Sequence, residues 1–194
     1  MRYFTKAEAR AAARQPVQAN VSKSASQVLR EERASVRDTQ SFDVFLSHAI
    51  ADGELVLGVK RILEARGLAV YVDWDTDVQL DRSRVTSDTA ALLRVRMRQS
   101  KTLLYLASEA ASSSKWMPWE LGYFDGLRSG GVAIMPLLDN ETDSFAGQEY
   151  LGLYPKVTKD TYKSTNQPDV FVEDARRWTT LKEFNAGAPA WRTY

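Results

Sequence analysis

From Phe42 onward the chain alternates short apolar runs with amphipathic stretches, and this alternation limits the fold more than any other feature of the sequence. Phe42-Asp43-Val44-Phe45-Leu46-Ser47 is apolar and ends in polar residues, as a buried parallel strand does. Leu55 to Ala65 carries apolar residues at Leu55, Val59, Ile62 and Leu63, a helical stripe, and Gly67 follows as a stop signal. Leu68 to Asp73 reads as a second strand, and Thr89 to Arg98 as a helix with Leu92, Leu93 and Met97 on one side. Thr102 to Ala107 is a third strand, Lys115 to Leu127 a helix closed by Ser129-Gly130-Gly131, and Val132 to Leu138 a fourth strand. Repeated strand–helix units with short loops bury their apolar faces as a parallel sheet covered on both sides. The expected fold class is α/β, a three-layer sandwich around a mostly parallel sheet of about five strands.

The flanking segments read differently. Thr5-Lys6-Ala7-Glu8 is a capping box opening an Ala-rich helix that ends before Pro16. Residues 17–26 are small and polar, and a second short helix is expected around Gln27 to Arg37. Residues 1–40 are thus expected to be a helical N-terminal extension and residues 41–194 the main domain. The extension holds eight Lys/Arg against four Asp/Glu, a basic arm that packs on the domain or on a partner subunit. In the tail, Tyr150 to Val157 suggests an edge strand, because Pro155 cannot donate into a ladder. Asp169 to Phe184 suggests a last helix with Val170, Phe171, Ala175 and Trp178 facing inward.

Composition closes off several chemistries. The chain has no cysteine, so disulfides, thiolate catalysis and Cys-based zinc sites are excluded. His48 is its one histidine, which excludes multi-histidine metal sites. No run approaches the ~18 apolar residues of a membrane span, and the N-terminus lacks the apolar core of a secretory signal. A cytoplasmic protein without membrane attachment is expected. The net charge of +1 gives no global field for nucleic acid. Neither a Gly-x-Gly-x-x-Gly turn nor a Gly-x-x-x-x-Gly-Lys-Ser/Thr loop is present, which argues against a dehydrogenase or P-loop nucleotide site. The acidic loop Asp73, Asp75, Asp77 and Asp81 reads as solvated, and no metal is expected.

Open parallel sheets bind ligands beyond the carboxyl ends of their strands, at a switch in strand order. After the first strand come Ser47, His48 and Asp52. After the second come Asp73, Trp74 and a polar loop containing Arg82. After the third come Ser108 to Ser114, followed by Trp116, Trp119 and Glu120 in the first turns of a helix. These strand ends converge on one aromatic-rich cleft that carries a carboxylate.

Two of these segments carry a family resemblance. Asp43-Val44-Phe45-Leu46-Ser47-His48-Ala49 followed by Asp52 resembles the first motif of TIR (Toll/interleukin-1 receptor) domains. Ser114-Lys115-Trp116-Met117-Pro118-Trp119-Glu120-Leu121 resembles their Ser-x-Trp-x-x-x-Glu-Leu/Ile motif on the third helix. Trp116 to Gly126 is most similar to bacterial TIR-type proteins, including those of antiphage defence. The resemblance spans Ser41 to about Asp139 and leaves out residues 1–40 and the tail. It implies a flavodoxin-like fold, NAD+ as substrate rather than cofactor, and cleavage of the nicotinamide–ribose bond with Glu120 in the catalytic position. It further implies self-association through TIR–TIR contacts and a downstream effector protein that responds to the nucleotide product, in bacterial immune or stress signalling.

The chemistry is consistent with a single carboxylate. Departing nicotinamide is neutral, so no strong acid is required, and the oxocarbenium-like ribosyl centre left behind is stabilised by a fixed negative charge. Trp116 and Trp74 are candidates to flank a planar ring of the dinucleotide, and Ser47, His48, Asp52 and Arg82 to contact its riboses or phosphates. Trp74 and Arg82 carry over by location only. Each residue also has a bland role: a carboxylate is favoured near a helix N-terminus without any function, and Trp116 and Trp119 are spaced as core anchors. Two other classes remain open, a non-enzymatic TIR interaction module and a nucleoside deoxyribosyltransferase-like enzyme. A phosphorelay receiver shares the architecture, but Asp73 lacks a convincing lysine partner.

Overall fold

The parallel strands stand in the order second, first, third, fourth, fifth along the main domain, so the chain reverses direction across the sheet beside its first strand. The computed structural model describes residues 2–15, 23–74, 87–162, 166–187 and 189–194. In chain order the elements are β1 (Phe4–Thr5), α1 (Lys6–Ala13), α2 (Ala25–Ala34), β2 (Phe42–Ser47), α3 (Gly53–Glu64), β3 (Val70–Tyr71), α4 (Ser87–Arg98) and β4 (Ser100–Ala107). They continue as α5 (Trp116–Leu127), β5 (Val132–Leu138), β6 (Lys156–Tyr162), β7 (Gln167–Glu173), β8 (Arg177–Thr180), α6 (Leu181–Asn185) and β9 (Arg192–Thr193). Short 3-10 turns occupy Ile50–Asp52, Ala110–Ser113 and Glu149–Leu153.

The sheet runs β3-β2-β4-β5-β6-β7-β8-β9, with β1 paired to β5. Its pairings are parallel from β3 to β6, five strands, and antiparallel from there to β9. This is the flavodoxin-like order, and its switch point lies between β2 and β4. Pro136 in β5, which has no N–H to give a ladder, falls between the residue that pairs β6 (Ile134) and those that pair β1 (Leu137 and Leu138).

Each face of the sheet has its own apolar layer. Val44, Leu46, Leu104, Leu106, Ala133 and Met135 meet α1, α2, α3 and α6 through Ala9, Leu29, Val59 and Phe184. Leu103, Tyr105, Val132 and Ile134 meet α4 and α5 through Leu93, Met97, Met117 and Phe124. The alternation of Leu103/Tyr105 with Leu104/Leu106 is the period of two that a strand buried on both sides must show. Helices α1 and α3 cross at Gly58, where a Cβ would lie 1.8 Å from the carbonyl oxygen of Ala9, so only glycine permits the approach. Thr5 and Glu8 form the expected capping box at α1, and α2 is likewise capped by Ser24 and Gln27.

Two expectations for the tail are corrected. Residues Asp169 to Phe184 do not form one helix: they make the hairpin β7–β8 and then the short α6. Val170 and Val172 enter one apolar layer, whereas Phe171 packs on Tyr162 and Trp178 on the other side, an alternation of two. Asp174 closes the hairpin by accepting from the N–H groups of Arg176 and Arg177, an Asx-type turn. The expected strand at Tyr150 to Val157 begins only at Lys156 and lies inside the sheet, between β5 and β7, with Pro155 just ahead of it. Among the described residues, no helix is long and apolar enough to cross a membrane.

Candidate functional site

Ser47, the last residue of β2, donates from its hydroxyl to Glu120 Oε2 at 2.6 Å. Both are buried, at 1% and 7% exposure. Glu120 reaches this place because α5 starts at Trp116, where the Ser114 hydroxyl accepts from the Met117 N–H at 3.3 Å, and the carboxylate follows one turn later. Helix α5 lies on the sheet face that Ser47 also points toward, directly at the β2/β4 switch point.

Tyr105 is the register partner of Ser47 across that switch point. Its hydroxyl donates to Gln148 Oε1 at 3.4 Å, and the Tyr150 hydroxyl donates to the same oxygen at 2.7 Å. Burial pushes the Tyr105 phenol above its usual pKa, with further contributions from Tyr150 and from the charge of Glu120. The segment around Gln148 and Tyr150, which carries no motif, therefore closes one side of the site.

The other candidates form neighbouring groups. His48 places Nδ1 2.9 Å from the Leu46 carbonyl. A carbonyl only accepts, so Nδ1 is the protonated ring nitrogen. Its ring stacks on Trp74 at 5.4 Å between centroids and 13° between planes. Trp74 is buried, and its ring sits against Gly53, where a Cβ would come within 3.0 Å of it. Asp52 accepts from the Ser108 hydroxyl, tying the loop after β2 to the loop after β4. Burial raises the Asp52 carboxyl above its usual pKa, opposed by the Ser108 hydrogen bond and by the charge of Lys6. Lys6 in turn pairs with Glu109 at 2.6 Å and Asp139 at 3.2 Å, so the first residue of α1 clamps the loops after β4 and β5. Its pKa is raised, first by the hydrogen bond to Glu109. Trp116 packs edge-on against Trp119 at 5.4 Å, and Trp119 stacks on Tyr123 with Arg94 over its ring. Arg82, with Asp75, Asp77 and Asp81, lies outside the described residues.

The structure thus brings Ser47 to Glu120 and His48 to Trp74, while Asp52 meets Ser108 and Trp116 meets Trp119. Tyr105, Gln148, Tyr150 and Lys6 were not foreseen. Tyr105 carried a signal, a phenol inside an otherwise aliphatic strand, whereas the other three are brought in by tertiary contacts alone.

A family model described as TIR domain matches residues 44–165. The chain belongs to the TIR domain family. The matched stretch reaches past Asp139 through β6, further than the motifs alone suggested. Over 154 residues this TIR protein is 44% identical to a protein of Bacillus cereus (strain MSX-D12) named probable 3' cyclic ADP-D-ribose synthase ThsB', covering 79% of each chain. It is also 28% identical over 95 residues to a protein of Cytobacillus dafuensis named putative cyclic ADP-D-ribose synthase TIR2, covering 48% of this chain and 25% of that one.

Proposed function

We propose that this TIR protein cleaves the nicotinamide–ribose bond of NAD+ and closes the remaining ADP-ribose into a cyclic nucleotide, with Glu120 as its catalytic residue. The observation that carries this reading is the buried Ser47–Glu120 pair at the sheet's switch point, in a chain similar along most of its length to a protein named as a cyclic ADP-ribose synthase. The carbon–nitrogen bond breaks with its electron pair going to nicotinamide, and the carboxylate of Glu120 faces the positive charge that grows on the ribose. Ser47 fixes the carboxylate's rotamer, so the charge is in place before the bond breaks and no reorganisation is required during the step.

The groups around this pair have assigned tasks in the same reading. Trp116 flanks a planar ring of the dinucleotide, His48 and Asp52 contact its ribose or phosphate groups, and Trp74 supports His48 from behind. Arg82 contacts a ribose or phosphate of the same substrate, and a second copy of the chain contributes through TIR–TIR self-association. The cyclic product is a cytoplasmic signal in bacterial immunity or stress, read by a separate effector protein. The test is to mix concentrated full-length protein with NAD+ and follow free nicotinamide. Wild type releases it and Glu120→Ala does not, with both folded by circular dichroism. Equal release by the two removes Glu120 from the mechanism, and no release by wild type favours a purely associative role.

A further inference from the structure

Cyclisation and hydrolysis share the bond-breaking step and differ in which oxygen reaches the ribose carbon. In hydrolysis it is water's. In cyclisation it is a hydroxyl of the substrate's other ribose, whose proton passes to the Glu120 carboxylate and then to solvent as the new carbon–oxygen bond forms. The outcome is a contest between bulk water and an internal group. A well-oriented internal hydroxyl acts at an effective concentration of about 10⁵ M or more, but it loses about a hundredfold when displaced by 1 Å. What decides the product is therefore the part of the site that holds the second ribose.

Tyr105, the ladder neighbour of Ser47, and two side chains hydrogen-bonded to it are suited to that task. Tyr105 is fully buried and sits next to Ser47 in the ladder, so its ring is fixed relative to the carboxylate that Ser47 holds. Gln148 Oε1 accepts from the Tyr150 hydroxyl at 2.7 Å and lies 3.4 Å from the Tyr105 hydroxyl, which also hydrogen-bonds Tyr150. Tyr105, with no exposed surface, holds this pair in place, while the half-buried Tyr150, its O–H turned to Gln148, keeps acceptor capacity on its oxygen. A phenol acceptor beside an amide suits a sugar diol: one hydroxyl donates to the Tyr150 phenol and anchors the ring, leaving its neighbour to face the carboxylate. The two aromatic bodies also exclude water from the same side, and Gln148 and Tyr150 are only half-buried, so a ligand can reach them.

We propose that Gln148 and Tyr150, positioned by Tyr105, form the subsite for the second ribose and set the ratio of cyclic to linear product. This rests on the NAD+-cleaving reading above. The experiment incubates the full chain with NAD+, quantifies nicotinamide, and separates cyclic from linear ADP-ribose by chromatography. The variants are Tyr105→Phe, which keeps the ring, and Tyr150→Phe and Gln148→Leu at half-buried positions that do not threaten the fold. The expected result is a cyclic-to-linear ratio reduced about tenfold or more in each folded variant, with nicotinamide release falling less than cyclic product does. An unchanged ratio in all three, whatever the loss of rate, overturns the subsite while leaving NAD+ cleavage intact. A wild type that makes only linear product also overturns it. A wild type that releases no nicotinamide overturns both readings together.

Discussion

Ser47→Ala tests whether the contact at the centre of the site is a real coupling or an accident of two residues meeting. The substitution removes one hydroxyl from a fully packed strand end and leaves a buried carboxylate oxygen without the donor that now sits 2.6 Å away. A hydrogen bond to a charged group is worth about 1.5–3 kcal/mol. In a chain of this size each kcal/mol moves the melting midpoint by roughly 2–4 °C, so a drop of about 3–12 °C is expected. The catalytic cost comes from orientation: a carboxylate free to rotate by one rotamer moves its oxygens by more than the ~1 Å that costs about a hundredfold in rate. The assay is a double-mutant cycle with Ser47→Ala, Glu120→Ala and the pair, read by urea denaturation and by nicotinamide release. Contacting groups couple by about 0.5–3 kcal/mol, whereas independent sites add to within about 0.3–0.5 kcal/mol. Additive stabilities would refute the argument that Ser47 holds Glu120, and near-normal turnover by Ser47→Ala would refute its consequence for catalysis.

Two further outcomes follow from other parts of the fold. Gly58→Ala gains about 1 kcal/mol of helix propensity but places a carbon 1.8 Å from a backbone oxygen of α1, an overpacking worth about 1–3 kcal/mol or more, so the urea midpoint falls. Adding Ala9→Gly does not restore it, because the obstructing atoms are backbone, and recovery in that double variant would locate the clash elsewhere. Glu183 has its carboxyl held well below the ordinary carboxylate range, first by the Arg192 guanidinium and then by the hydroxyls and N–H at Thr179 and Thr180. A depressed folded-state pKa gives stability that is present above the unfolded value of about 4.3 and is lost as the pH falls below it. Melting curves from pH 7 to pH 3 therefore drop more steeply for wild type than for Glu183→Gln, and parallel curves would count against the pairing.

Much of the fold was legible because its signals are local. The aliphatic runs at Phe42–Ser47 and Val132–Leu138 became β2 and β5 with those bounds, and Thr5/Glu8 set the start of α1 through a contact three residues long. The tail was misread because Val170-Phe171-Val172 is too short for periodicity to separate strand from helix. What decides it is the antiparallel partner Val157–Lys159, which the sequence does not advertise. At the site, Ser47 and Glu120 were found by motif, 73 residues apart. Trp74 was named as a candidate to flank a ring of the dinucleotide, and the space at Gly53 lets its own ring lie inward against His48. Gln148 and Tyr150 were invisible because only the path of the chain after β5 brings them back beside β4.

The two-residue β1 has a consequence for how the molecule comes together. Arg2 bridges to Lys159, Lys6 to Asp139, and Lys159 also pairs with Glu8, so residues 2–8 are fastened by residues made much later. Contacts between such distant positions carry the greatest loop-closure cost and form late. On a ribosome, α1 can dock on α3 across Gly58 early, but β1 must wait until β5 is made, and Arg2 and Glu8 until the strand that carries Lys159 emerges. Lys6 draws the loops after β4 and β5 together as soon as Asp139 is out, and Lys159 then locks Arg2 and Glu8 in place.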